Sequence, residues 1–350
     1  MRTVKFAPEL VFMMLRALIR ADALKKRVSG VRAPSDEMPL FIRGLHECLA
    51  TTPEIDSALP TWRTSIGNAV FSDYSDKSGS WTTYAFLCAP IEEVIRVQSI
   101  LKQLRENHPP LEDMRQFEYK KLADRVRARA LPEWLDVFDS MTGVAFVLLV
   151  HRDVSSAIHT NSPDEPAKIA ETIRELGYGD WSTTRSGNKL LEDALRTLHM
   201  IGYLNARLSG PRVPLRWITD NDEIIAGAMR RKSVHALLTN IAEKYSGAST
   251  TVEIAAESDL QEVSLREFLS IPDLIAAGIL QHQLGVDTQA RDALPKAAAI
   301  MEWFGVVKNL QKVALQIAPD ARTGIQWKFF RPFFAPDSSS TLNQASSGHA

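Results

Sequence analysis

Residues 8 to 28, beginning PELVFMMLRALIRADALKKR, repeat apolar and basic positions at helical spacing and stop at Ser29-Gly30, with Pro34 close behind. A second helix is expected from about Pro39 to Leu49. After Thr61 the pattern changes. Apolar runs flanking a turn-forming loop predict strands near 67–73 and 82–89, joined as a hairpin. A helix follows over Pro90–Glu106, then an extended piece at Gln116–Tyr119, a helix from Lys121 to about Ser140, and the very apolar strand GVAFVLLV at 143–150.

The segment 152–188 is polar and rich in turn formers, which predicts an excursion over the surface. Beyond it the pattern gives a helix over Lys189–Leu208, the strand PLRWIT at 214–219 and a helix over Asn221–Tyr245. The strand TTVEIAA at 250–256 and a helix at 264–284 come next. A last helix is expected over about 288–317, leading to GIQWKFFRPFF, and the Ser-rich end from Asp337 reads as a disordered tail. Strands paired first as a hairpin and later separated by helices predict a mixed α/β fold with one central sheet covered by helices. The expected organisation is a helical N-terminal appendage (1–60), a main domain (61–285), a helical C-terminal extension (286–335) and the tail (336–350).

Composition narrows the chemistry. The 350 residues carry 41 Lys and Arg against 42 Asp and Glu, a net charge of −1, so the molecule as a whole does not advertise a polyanion partner. Basic residues nevertheless gather locally, at Arg115, Lys120, Lys121, Arg125, Arg127 and Arg129 and again at Arg230-Arg231-Lys232. No apolar run is long enough to span a bilayer, and the early apolar stretch, interrupted by Arg16, lacks a signal-peptide pattern, so a soluble, cytoplasmic protein is expected. Two cysteines, Cys48 and Cys88, without a Cys-x-x-Cys pair exclude a zinc ribbon or a disulfide scaffold. The eight histidines show no His-x-x-x-His or His-x-x-x-x-His spacing. Any bound metal must therefore be held by carboxylates, which means a hard ion, Mg2+ or Mn2+.

The acids fall in suggestive places. Asp73 ends the first strand, Asp220 and Asp222 follow PLRWIT, and Asp273 lies in LSIPDLIAAGIL, early on an apolar helix. Each has an ordinary structural explanation: turn former, helix N-cap, and first-turn residue behind a proline. Taken together they suit a hydrolytic metal centre, in which carboxylates from distant parts of the chain converge on two ions about 4 Å apart.

The segments SDYSDKSG (72–79) and IPDLIAAG (271–278) carry a resemblance to the ribonuclease H-like nuclease superfamily. Within it they are most similar to a bacterial family of unknown function. That family has Asp-Glu-Ser-Gly before a hairpin and Ala-Asp-Leu-Ile-Ala on a closing helix. The resemblance spans about 67 to 285 and implies that Asp73 and Asp273 are metal ligands, with Asp220 or Asp222 as a third. It also implies an acid between the hairpin and the fourth strand, where Glu118 stands beside Lys120, with Glu112, Asp113 and Asp124 as neighbours. The implied activity is metal-dependent phosphodiester hydrolysis in RNA or DNA. Lys120, Arg125, Arg129, Arg230, Arg231 and Lys232 would then hold the phosphate backbone.

The chain departs from the family where Tyr74 replaces Glu and glycine is delayed to Gly79. If that Glu binds metal, a ligand is missing. The alternative is then an inactive scaffold that binds nucleic acid, or a protein partner through its N-terminal helices. Asp220-Asn221-Asp222 also fits the Asp-x-Asp of haloacid-dehalogenase phosphatases or of manganese-dependent glycosyltransferases, although the acidic pair in a glycine-led turn that the former require is absent.

Overall fold

The structure is a computed structural model that describes residues 30–33, 37–75, 79–108, 111, 117–154, 156, 158, 163–178, 181, 184–220, 223–260, 263–287, 295–320 and 324–330. The expected helix at 8–28, the tail, Asp222, Glu112 and Asp113 lie outside those residues.

Two helices, α1 (Leu40–Thr51) and α2 (Pro53–Ala58), precede the hairpin β1 (Asn68–Ser75) and β2 (Trp81–Pro90). Then come α3 (Ile91–Asn107), α4 (Arg125–Asp139), β3 (Gly143–His151), α5 (Glu165–Glu175) and α6 (Arg185–Leu208). The remainder is β4 (Leu215–Thr219), α7 (Ala228–Ser246), β5 (Val252–Ala256), α8 (Val263–Asp287), α9 (Pro295–Gly305), β6 (Leu310–Asp320) and β7 (Gly324–Phe330).

The strands form one seven-stranded mixed sheet in the order β5-β4-β1-β2-β3-β6-β7. β1 and β2 pair antiparallel, as do β2 and β3 and β6 and β7, whereas β1–β4, β4–β5 and β3–β6 are parallel. Both faces are buried, so the central strands read as continuous apolar runs and the alternation appears only in what each residue touches. In β1, Ala69 and Phe71 join a core formed with α3, α4, α8 and α9, while Val70 joins the opposite core with α1, α6 and α7. A central sheet flanked by helices is the expected class, and it is consistent with a ribonuclease H-like fold.

Several expectations change. Among the described residues of the helix expected over 288–317, only α9 is helical; 310–320 is β6, and β7 follows it. The helical C-terminal extension is therefore replaced, over 310–330, by two strands that continue the central sheet. The segment 152–188 carries α5 and the start of α6, and the helix expected from Asn221 begins at Ala228. α1 packs on the main domain: Phe41, Ile42, Leu45 and Leu49 are buried in the main core, and a Cβ on Gly44 would come within 2.2 Å of the Trp327 ring of β7.

Candidate carboxylate site

Register places the site. β1 and β4 run parallel with Ser72 opposite Thr219, so Asp73, still paired with Ala85 of β2 two residues before β1 ends, and Asp220, the first residue past β4, stand at the same level. Asp73 shares its strand face with Ala69 and Phe71, which is the face covered by α8. α8 is anchored there by Phe268 stacked on Phe71, with ring centroids 5.1 Å apart, a contact worth about 0.5–1.5 kcal/mol beyond area burial. That anchor brings the next turn of α8, with Asp273, over the end of β1.

Asp273 thus sits ten residues inside α8 rather than in a first turn, and Pro272 lies within the helix. The proline has no N–H to give the carbonyl four residues back. Asp220 is equally no helix cap, because the residue before α7 is Gly227. The ordinary explanations for these two acids fail. That for Asp73 survives in part, since its Oδ1 accepts the Tyr74 N–H at 2.8 Å.

Ser72, Asp73, Glu118, Lys120, Asp220, Glu257, Arg266, Leu269, Ser270 and Asp273 enclose a cavity of about 300 Å3, with five carboxyl groups set against two basic side chains. The Asp73 and Asp273 carboxyls line the same cavity close enough for each to perturb the other's ionisation. Asp273 Oδ2 also accepts the Tyr119 N–H at 2.6 Å. Burial pushes the Asp73 carboxyl up to about 8, with the Asp273 and Asp220 charges adding to the effect against the Tyr74 N–H. Burial likewise raises Asp273, although the Tyr119 N–H counters it. The Asp273 charge thus favours the protonated form of Asp73. Two carboxylates 4 Å apart repel by about 4 kcal/mol at an effective dielectric of 20.

Glu118 behaves in the opposite way. Burial pushes its carboxyl up, but the ammonium groups of Lys121 and of Lys120, the latter at 3.0 Å, outweigh burial and hold it below the usual range. Lys120 is 80% exposed at the rim and senses the Asp273 and Asp220 charges. Asp124 is used elsewhere, capping α4 through the Val126 N–H and pairing with Arg127.

The other predicted basic residues are not in the cavity wall. Arg125 and Arg129 are exposed on α4. Arg230 lies 5.3 Å over the Trp181 ring and donates to the Glu223 carbonyl, and Arg231 pairs with Asp259 at 2.8 Å. Lys232 lines a separate hollow with His235. Glu257, Arg266 and Ser270 line the cavity without having been singled out in the sequence.

Tyr74 points away. Its ring packs edge-on against Tyr84 and its hydroxyl reaches Ser72 Oγ at 3.2 Å, on the sheet face opposite Asp73. Any side chain at position 74 of a regular strand takes that face.

Among the described residues no three His, Cys, Asp or Glu side chains converge as a ready metal-ligand set. The donor chemistry, five carboxyl groups lining one cavity, is of the kind that a hard cation takes.

Fold and site together define a mixed α/β protein with a carboxylate-lined cavity at one edge of its sheet. No family model and no curated protein matches the chain. Among solved structures it is similar to the ribonuclease H2 from Pyrococcus horikoshii OT3, with 11% identity, a TM-score of 0.31, and coverage of 68% of this chain and 85% of that one. No residue role follows from a likeness at that level. No described helix is long and apolar enough to cross a membrane.

Proposed function

We propose that the chain is a metal-dependent nuclease that hydrolyses phosphodiester bonds in RNA or DNA, with Asp73, Asp220 and Asp273 holding Mg2+ or Mn2+. Asp222, which neighbours Asp220 in sequence, is the alternative third ligand. The observation that carries this reading is the convergence of Asp73, Asp273, Asp220 and Glu118, from distant parts of the chain, on one cavity. Neighbouring half-buried acids that raise each other's pKa disfavour the fold at neutral pH, so their presence argues for a cation that relieves them.

When bound, such ions lower the pKa of a water and neutralise the leaving oxygen. The chain's own groups do the rest. The Tyr119 N–H fixes the orientation of Asp273. Glu118, ionised at neutral pH by its two lysines, accepts a hydrogen bond from the attacking water. Lys120, exposed at the rim, takes a phosphate oxygen as a point charge. Arg125 and Arg129, and Arg230, Arg231 and Lys232 on α7, would hold more distant phosphates, contacts that position a strand without reading its sequence.

A second reading, an inactive scaffold binding nucleic acid or a protein partner, is favoured by the lack of a converged ligand set among the described residues. One experiment separates the two. End-labelled single-stranded RNA, single-stranded DNA, duplex DNA and an RNA:DNA hybrid are incubated with the protein in Mn2+, beside Asp73→Asn. The nuclease reading requires cleavage of at least one substrate and a rate lower by orders of magnitude in the variant. Cleavage unchanged in the variant, or none at all, rejects it.

A further inference from the structure

Arg266 stands alone in the sequence, outside both basic clusters, yet it is the one arginine lining the carboxylate cavity. Its position on α8 follows a helical face: Arg266, Leu269, Ser270 and Asp273 are spaced i, i+3, i+4 and i+7, and all four line that cavity. Its guanidinium is poorly used by the fold. Nε is buried without a hydrogen-bond partner, and Nη2 reaches only the Leu260 carbonyl at 3.4 Å. Among the described residues no carboxylate forms an ion pair with it, although Glu257 lines the same cavity. The buried arginines of the core contrast with it: Arg105 is paired with Glu267, Arg196 with Glu192 and Arg207 with Asp56.

A partly buried guanidinium with an idle donor has lost water without gaining a partner, which costs free energy. The group that restores it must bring anionic oxygens into an already acidic cavity, and a phosphate supplies several in the geometry of the guanidinium fork. We propose that Arg266 is a phosphate-gripping residue of this site, holding a backbone phosphate that flanks the one at the carboxylates. This rests on the nuclease reading above and adds the substrate contact that the basic clusters do not supply inside the cavity.

Geometry sets which phosphate. Seven residues of α-helix separate Arg266 from Asp273, about 10 Å along the axis, and helical side chains lean toward the N-terminus, away from Asp273. Arg266 therefore serves a neighbouring phosphate and not the one being cleaved. Its loss should weaken binding and raise KM while leaving kcat near the wild-type value.

The test is fluorescence anisotropy of labelled single-stranded RNA and DNA in EDTA, where no cleavage interferes. Wild type is compared with Arg266→Gln, Arg266→Lys and, as a charge control on the far side of the sheet, Lys168→Gln. Arg266→Gln should weaken binding about tenfold and flatten the slope of log K against log salt by about 0.7, the loss of one phosphate contact on a single strand. Arg266→Lys should keep the slope while losing part of the affinity, and Lys168→Gln should match wild type. Should Arg266→Gln fail to fold, Arg266→Lys read against wild type decides, since unchanged affinity there refutes the fork. Wild-type binding with Arg266→Gln indistinguishable from it overturns the proposal and leaves the nuclease reading standing. No binding by wild type overturns the proposal and leaves the nuclease reading to the cleavage assay above.

Discussion

The raised pKa of Asp73 makes stability depend on pH in a direction that can be worked out. The unfolded chain ionises this group near pH 3.9, whereas the folded chain holds its proton up to about pH 8. The folded-state pKa is the higher one, so below pH 3.9 both states are protonated and the group costs nothing. As pH rises through the window the unfolded state releases its proton first and is favoured, at about 1.4 kcal/mol per pH unit until pH passes the folded value. From pH 5 to pH 7 the wild type should lose roughly 2.7 kcal/mol through this group. Asp73→Asn resembles the protonated form, keeping an acceptor for the Tyr74 N–H, but it cannot ionise. Urea unfolding followed by tryptophan fluorescence, in EDTA at pH 5, 6 and 7, should show the variant gaining on wild type by about 1.4 kcal/mol per unit. Mg2+ at about 100 times its dissociation constant should return about 2.7 kcal/mol to the wild type and nothing to the variant. A stability difference that stays constant from pH 5 to 7 would refute the raised pKa of Asp73.

Three further outcomes test the packing around the site. Glu267 is buried between Arg105 and the Trp134 N–H at 3.0 Å, so Glu267→Gln should cost about 3–5 kcal/mol in urea unfolding by leaving Arg105 unpaired. Gly44→Ala sets a methyl against the Trp327 ring and should cost about 1–3 kcal/mol, with the earliest loss of amide-exchange protection in β7; a neutral effect would mean that α1 does not pack on β7. Burial raises the Cys48 thiol to about 11 and the Cys88 thiol further, so at pH 8 neither should react with a disulfide reagent until the chain unfolds, when both react.

The hairpin, the strands at 143–150 and 214–219 and the apolar helix of Asp273 were legible because their apolar runs are long and their boundaries carry Gly, Pro or Asp. β6 was not. Its residues LQKVALQIAPD contain good helix formers behind an Ala-rich helix, and only the break at Gly305–Asn309 warned of a change. What makes it a strand is pairing with β3, a contact between residues far apart in the chain. The level placement of Asp73 and Asp220 is likewise a property of register between β1 and β4. The place of Asp220 just past a strand was visible in the sequence; Asp73, expected to end its strand, lies two residues inside β1, and the adjacency of the two was not visible. Arg266 went unseen because the search was for clustered charge, whereas its signal was the i, i+4, i+7 spacing to Ser270 and Asp273. The face that Tyr74 takes, shared with Val70, follows from strand parity, which the sequence already contained.

The central claim is that the carboxylate cavity is a divalent-cation site, and the most direct measurement is Mn2+ binding by isothermal titration at pH 7 in two buffers of different ionisation enthalpy. Displacing the proton that Asp73 holds at pH 7 predicts carboxylate-dependent Mn2+ uptake with close to one proton released, and loss of both in Asp73→Asn. Absence of uptake at millimolar Mn2+, or equal uptake by the variant, would contradict the account.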